Sequence, residues 1–241
     1  MNTDLPRFTN LGAIAMEIRD KPDYRKIGRT IDRVIRSQSC VADLMEASTC
    51  IEVLTGIRGS PEGAGSTERL AVEASLMRTA VTLYERATAA GAKRKERGSI
   101  QIRDRLSAAE HEDHDALVSL RHRTFAHVYT GEEVDEEVWH SELVFAMEVG
   151  PTWAPGCGTK RVQFAPKTFA RLVRQLPVAR EKVRERYLEN IGTLAEILME
   201  HPLPMEMFER HSFDPIELFG GYAQAKAIVD GRSKGFSTVT A

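Results

Sequence analysis

The stretch "DKPDYRKIGRTIDRVIRSQSCVADLMEASTCIEVLTG", residues 20–56, constrains the fold more than any other part of the chain. Ile27, Ile31, Val34, Val41, Met45 and Leu54 recur at helical spacing, which predicts one long amphipathic helix that ends near Gly56. A helix of that length carries an apolar stripe that other helices must cover, so a helical bundle is the simplest solution. Candidate partners follow. "IRGSPEGAGS" reads as a loop, and "TERLAVEASLMRTAVTLYERATAAG" as a second helix. The stripe of this second helix is Leu70, Ala74, Met77, Val81 and Tyr84, with Glu68, Glu73, Glu85 and Arg86 on the opposite face.

After the basic connector "AKRKERGS", a third helical segment runs from about Ser99 to Arg123, with Leu117 and Leu120 facing inward. The period then changes. Leu143, Phe145, Met147 and Val149 alternate, as do the residues of "KRVQFA", which predicts a β-hairpin at about 138–166. "GPTWAPGCGT" is expected to be a long loop between its strands. A last long helix follows Pro166, with Phe169, Val173, Leu176, Val183, Tyr187, Ile191, Leu194 and Leu198 inward and Pro177 expected to kink or divide it. Its arginines, Arg171, Arg174, Arg180, Arg184 and Arg186, describe an exposed face. The predicted fold is mainly α, an up-and-down helical bundle with a small hairpin before the last long helix. The helical domain spans 20–200, and 201–241 form a C-terminal extension with a frayed tail.

Composition narrows the function. With 33 basic and 35 acidic side chains the formal net charge is −2, which argues against coating nucleic acid by bulk charge but leaves room for a local basic groove. Three widely spaced cysteines, Cys40, Cys50 and Cys157, do not form a disulfide framework, and no apolar run reaches the roughly 20 residues that span a bilayer. A soluble cytoplasmic protein is expected. "GSPEGAGST" lacks the lysine of a phosphate-binding P-loop. "HEDHD", residues 111–115, does not have the four-residue histidine spacing of zinc proteases and reads as a solvated face.

"RHRTFAHVY", residues 121–129, is the candidate site. Arg121 and His127 suit acid–base chemistry on a phosphate: imidazole exchanges protons near neutral pH, and a guanidinium grips phosphate oxygens through its planar fork. Spacing alone decides little, because about two such pairings are expected by chance, and Arg105 and His111 have the same separation. Position separates them. Arg121 is followed by polar His122 and lies where the third helix gives way to "TGEEVDEE". On an unbroken helix, residues six apart diverge by about 120°, so a break would help them converge. An Arg–His pair there would also satisfy helix C-terminal carbonyls without any catalysis.

With a long helical hairpin, an R-polar-x4-H element at a helix end, a β-hairpin and a closing helix, residues 20–200 resemble the HEPN superfamily. "LRHRTFAH" is similar to the "RN…AH" signature of its bacterial abortive-infection and toxin branches, with His122 where Asn is commoner. The resemblance implies a metal-independent endoribonuclease without cofactors. Its RNA cleft would be a composite site across a homodimer, with Arg121 and His127 catalytic and His122 supporting. "HVY" extends the likeness to toxins silenced by a partner nucleotidyltransferase antitoxin, which would AMPylate Tyr129. The alternative is a non-catalytic HEPN-like module that dimerises or docks a partner. "EEVDEE", residues 132–137, stands against easy RNA access.

Overall fold

The computed structural model describes residues 5–89, 91, 98–126, 131 and 133–230. The fold is mainly α with one small β-hairpin before the last long helix. The chain divides into two compact units, Met1–Ser39 with Arg184–Ala241, and Cys40–Val183.

The first unit begins with β1 (Phe8–Thr9), paired antiparallel with the late strand β6 (Ser212–Phe213). Asn10 caps α1 (Leu11–Ile18) by accepting from Ala13 N at 3.0 Å. Ile14, Ile18, Ile27, Ile31, Leu194, Ile197, Leu203 and Met207 form its core. They bring together α1, the start of α2 (Arg25–Gly59), the end of α5 (Pro166–Glu200) and α6 (Met205–Arg210). The short helices α7 (Pro215–Leu218) and α8 (Tyr222–Val229) complete it.

The second unit holds the candidate site. The rest of α2, α3 (Thr67–Thr88), α4 (Ala108–Leu120) and the first half of α5 pack around Leu44, Leu54, Met77, Val81, Tyr84, Leu117, Leu120, Leu172 and Leu176. The third helix starts later than the sequence predicts. Residues 98–106 are a loop with one 3-10 turn, and α4 begins only where Glu110 accepts from Ser107 N at 2.7 Å. Helix α5 is not divided at Pro177, which is solvent-exposed, so water can take the carbonyl that the missing N–H leaves.

Charge corrects the predicted faces. On α3, Glu73 and Glu85 are both buried, each 2% exposed. On α5, Arg171 is buried while Val173 is exposed. The cause is a set of ion pairs, most of which cross between elements. Glu73 is held by Arg58 at 2.8 Å and Arg69 at 2.9 Å, and Asp43 by Arg86. Arg171 bonds Asp113 of α4, Glu112 at 3.1 Å and Asp135 at 3.0 Å, and Arg174 adds a second cation to Asp113 at 2.9 Å.

Asp135 and Glu136 form the two-residue turn between β2 (Glu133–Val134) and β3 (Glu137–Val138), with φ of 55° and 64°. Left-handed backbone costs an L-residue about 1–2 kcal/mol. Here the cations of α5 offset that cost, since Lys167 also reaches Asp135 at 3.4 Å and Glu136 at 2.6 Å.

The strands of the hairpin are longer and its connection shorter than predicted, and the second strand ends at Arg161, so most of "KRVQFA" lies beyond it. Strands β4 (His140–Val149) and β5 (Thr152–Arg161) pair along their full length around a tight turn at Gly150, whose φ is 60°. "TWAPGCGT" is therefore strand and not loop, despite its glycines and proline. Gly156 has a packing reason: the Phe145 ring lies on it, and a Cβ there would sit 2.6 Å from the ring.

Replacing Arg171 by Met leaves Asp113 and Asp135 short of their shared cation. By the usual cost of stranding a buried charge, urea unfolding of Arg171→Met is expected to show a loss of about 3–5 kcal/mol. A loss under 1 kcal/mol would show that this network does not hold α4 to α5.

Candidate functional site

The α-helix stops at Leu120, and Arg121–Ala126 continue as a π-helix. π-Helical turns are rare and concentrate at functional sites. At the junction Arg121 N is shared between Leu117 O and Val118 O, a bifurcated bond common at helix ends. The far side of the segment is anchored. Thr124 is buried, its carbonyl accepts from His140 Nε2 at 3.3 Å, and Phe125 meets Trp139 edge-to-face at 5.5 Å. Trp139 is fixed in turn by its Nε1–H donating to Val134 O at 3.1 Å.

Arg121 and His122 come together on one buried carboxylate. Arg121 Nε lies 3.4 Å from Glu85 Oε2, and His122 Nε2 lies 3.3 Å from Glu85 Oε1. The two side chains also meet each other, with Arg121 Nη1 3.4 Å from His122 Nδ1. One arrangement of hydrogens satisfies all three contacts: His122 carries its proton on Nε2 and donates to Glu85, while Nδ1 accepts from Arg121. The Arg121 side chain is 33% exposed and that of His122 51%, so both reach solvent while Glu85 does not. His127 and Tyr129 lie outside the described residues.

Glu85 is the participant that the sequence reading missed. A signal for it exists: Glu73, Met77, Val81 and Glu85 stand at four-residue intervals, so both glutamates lie on the stripe that Met77 and Val81 define. The acidic run after the motif is also changed by folding. Asp135 and Glu136 are taken up by Arg171 and Lys167, and Glu137 lies 3.9 Å from Lys160. Of this run, Glu133 is exposed and Glu132 lies outside the described residues.

Other constellations are engaged elsewhere. In "HEDHD", His111 contacts Arg103 O, Asp115 binds Arg103 at 2.8 Å, and buried His114 meets the Tyr84 hydroxyl at 2.7 Å. A cavity of about 740 Å³ in the first unit is lined by Leu5, Phe8, Met205, Phe208, Phe213 and Ile216. Its polar groups serve the fold: Thr9 donates to Phe208 O, Ser212 to Glu209 O, and Asp214 caps α7. No helix among the described residues is long and apolar enough to cross a membrane. Compared with protein-family models, curated proteins and solved structures, the chain matches none.

The site's electrostatics are asymmetric, and stability measurements should show it. Arg121→Ala strands a buried carboxylate and is expected to cost about 3–5 kcal/mol. Glu85→Gln leaves a guanidinium that water can solvate, and should cost about 1–2 kcal/mol. Urea unfolding that ranks them the other way would contradict this geometry. His114 gives a separate pH signature. Burial lowers its pKa below the ordinary imidazole value, against the pull of Asp115. The unfolded chain therefore binds this proton first, and stability should fall as pH drops below about 6.5, by up to about 1.4 kcal/mol per unit. Denaturation midpoints between pH 7 and 5 should lose that slope in His114→Gln.

Proposed function

We propose that the protein is a metal-independent endoribonuclease of bacterial defence or toxin–antitoxin type, with a HEPN-like composite site formed by Arg121 and His127 across a homodimer. The observation that supports this reading most is the Arg121–His122–Glu85 cluster on the π-helical segment. A guanidinium tethered through Nε by a buried carboxylate keeps a fixed direction while part of it faces water. That is the preorganised donor a phosphate transition state needs.

In the proposed reaction the RNA 2′-oxygen attacks the adjacent phosphorus as it loses its proton to one His127 imidazole. The new 2′-O–P bond replaces the P–O5′ bond, and the leaving 5′-oxygen takes a proton from the imidazolium of the second copy. The products are a 2′,3′-cyclic phosphate and a 5′-hydroxyl. Arg121 neutralises the charge that builds on the non-bridging oxygens, and His122 orients Arg121 from the side. The nucleophile is part of the substrate, so the step calls for no metal or cofactor. Tyr129, two residues beyond His127, is the proposed acceptor for AMP from a nucleotidyltransferase antitoxin. Uptake of Asp135 and Glu136 by α5 removes part of the negative charge that would repel RNA after the motif.

A second reading has its own support. Arg121 neutralises a buried carboxylate that His122 also meets, which is also what a purely structural pair in a non-catalytic docking module would do. Arg121→Lys separates the two. It keeps the charge on Glu85 but loses the planar fork. For the nuclease, cleavage of a mixed RNA pool in EDTA should fall by about 10²–10³-fold in Arg121→Lys. In His127→Ala it should fall by about 10²–10⁴-fold. Both variants should unfold near the wild-type midpoint. No cleavage by the wild type, or full cleavage by His127→Ala, favours the docking module.

A further inference from the structure

The first unit carries a second concavity, opposite in character to the apolar one. It holds about 330 Å³ in the crevice between α1 and the first turns of α2. Arg19, Arg25, Arg29 and Asp32 line its walls, and buried Ile18 and Gly28 its floor. Arg25, Arg29 and Asp32 follow one another at four and three residues, so a single stripe of α2 presents all three. Arg19 comes from the C-cap of α1.

These arginines differ from those that hold the fold. Arg58, Arg69, Arg86, Arg121, Arg171 and Arg174 each pair with a carboxylate. Among the described residues no carboxylate pairs with Arg19, Arg25 or Arg29, not even Asp32 in the same cavity.

Their placement also runs against helix electrostatics. The positive end of a helix dipole favours acids, yet the first turn of α2 has none and opens on Arg25 and Lys26. Arg25 and Arg29 are like charges four residues apart, which repel. Gly28, between them, costs a helix about 1 kcal/mol relative to alanine. An anion in the cavity would reverse the first two of these penalties, and the missing side chain of Gly28 leaves it room.

We propose that this cavity binds a small phosphate monoester, a sugar phosphate or mononucleotide. The lining sets the chemical class. Three guanidiniums against one carboxylate leave a formal charge of +2, which matches the near-dianion that a phosphate monoester carries at neutral pH. A carboxylate or a phosphodiester brings half of that. Planar guanidinium forks suit phosphate oxygens. Asp32 would repel a bare phosphate, so its place is beside the phosphate, accepting from a hydroxyl of the same ligand. The volume is at the lower end for small-molecule sites, enough for one sugar phosphate and too little for a polymer. The site is independent of the ribonuclease reading, whose residues belong to the second unit.

Calorimetric titration of the full chain tests it, in about 0.15 M salt so that screening over about 8 Å suppresses non-specific attraction. Ribose 5-phosphate is expected to bind, inorganic phosphate to bind more weakly, and ribose not to bind. Arg29→Gln should weaken ribose 5-phosphate by about 10–100-fold, the usual worth of a charged hydrogen bond. Asp32→Ala should bring ribose 5-phosphate and inorganic phosphate to equal affinity. Arg25→Glu places an acid in the first turn of α2, so the unliganded variant should unfold at a higher temperature than wild type while its binding is lost. Absence of ribose 5-phosphate binding overturns the proposal, as does binding that Arg25→Glu and Arg29→Gln leave unchanged. Equal wild-type affinity for ribose 5-phosphate and inorganic phosphate overturns the role of Asp32. Co-sedimentation with vesicles containing phosphatidic acid would move the monoester to a lipid headgroup and overturn the small-ligand assignment.

Discussion

The carboxylate of Glu85 is the constraint around which the candidate site is organised. A buried carboxylate is tolerable only where a cation meets it, and here Arg121 is that cation, with His122 beside it on the second oxygen. This one requirement ties α3 to the end of α4 and turns two side chains toward one point. It acts where the backbone leaves α-helical winding. The direction of Arg121 therefore depends on a residue 36 positions earlier in the chain, and so does any chemistry asked of it.

The same device recurs through the second unit. Glu73 meets Arg58 and Arg69, Asp43 meets Arg86, and Asp113 and Asp135 share Arg171. Apart from Glu73 with Arg69, within α3, each pair joins segments that are not neighbours in sequence or closes a loop between them. Buried ion pairs are weak contributors to net stability, because desolvation offsets most of their attraction. Their effect is on specificity, since a mispaired arrangement would strand a charge. The left-handed turn at Asp135 and Glu136 illustrates this: two L-residues accept an unfavourable φ because Arg171 and Lys167 wait there. In accepting it they also withdraw acidic charge from the neighbourhood of the motif.

Periodicity made the long helices legible, because apolar spacing reports directly on a buried face, while the alternation that marks β4 belongs to a strand exposed on both faces. The stripe of α2 and the alternation of β4 are clear in the residues alone. Residue chemistry, by contrast, points charged side chains to solvent and so misplaces Glu73, Glu85 and Arg171, although the four-residue spacing from Met77 and Val81 puts both glutamates inward. Residues 152–161 were hidden for a different reason. Gly156 and Pro155 have the composition of a loop, yet one lies beneath Phe145 and the other sits where no donor is needed. Such roles depend on the partner strand, which no local pattern contains. Within the motif, Arg121 and His122 meet on Glu85, while His127, the expected partner of Arg121, and Tyr129 fall outside the described residues.

The chemistry of the RNA ends is the most direct test of the ribonuclease reading. Wild-type protein incubated with a mixed RNA pool in EDTA should leave 2′,3′-cyclic phosphate on one fragment and a 5′-hydroxyl on the other, read by mass spectrometry. Fragments ending in 3′-hydroxyl and 5′-phosphate, or RNA that stays intact, would contradict it and leave "RHRTFAHVY" as the structural end of a helix.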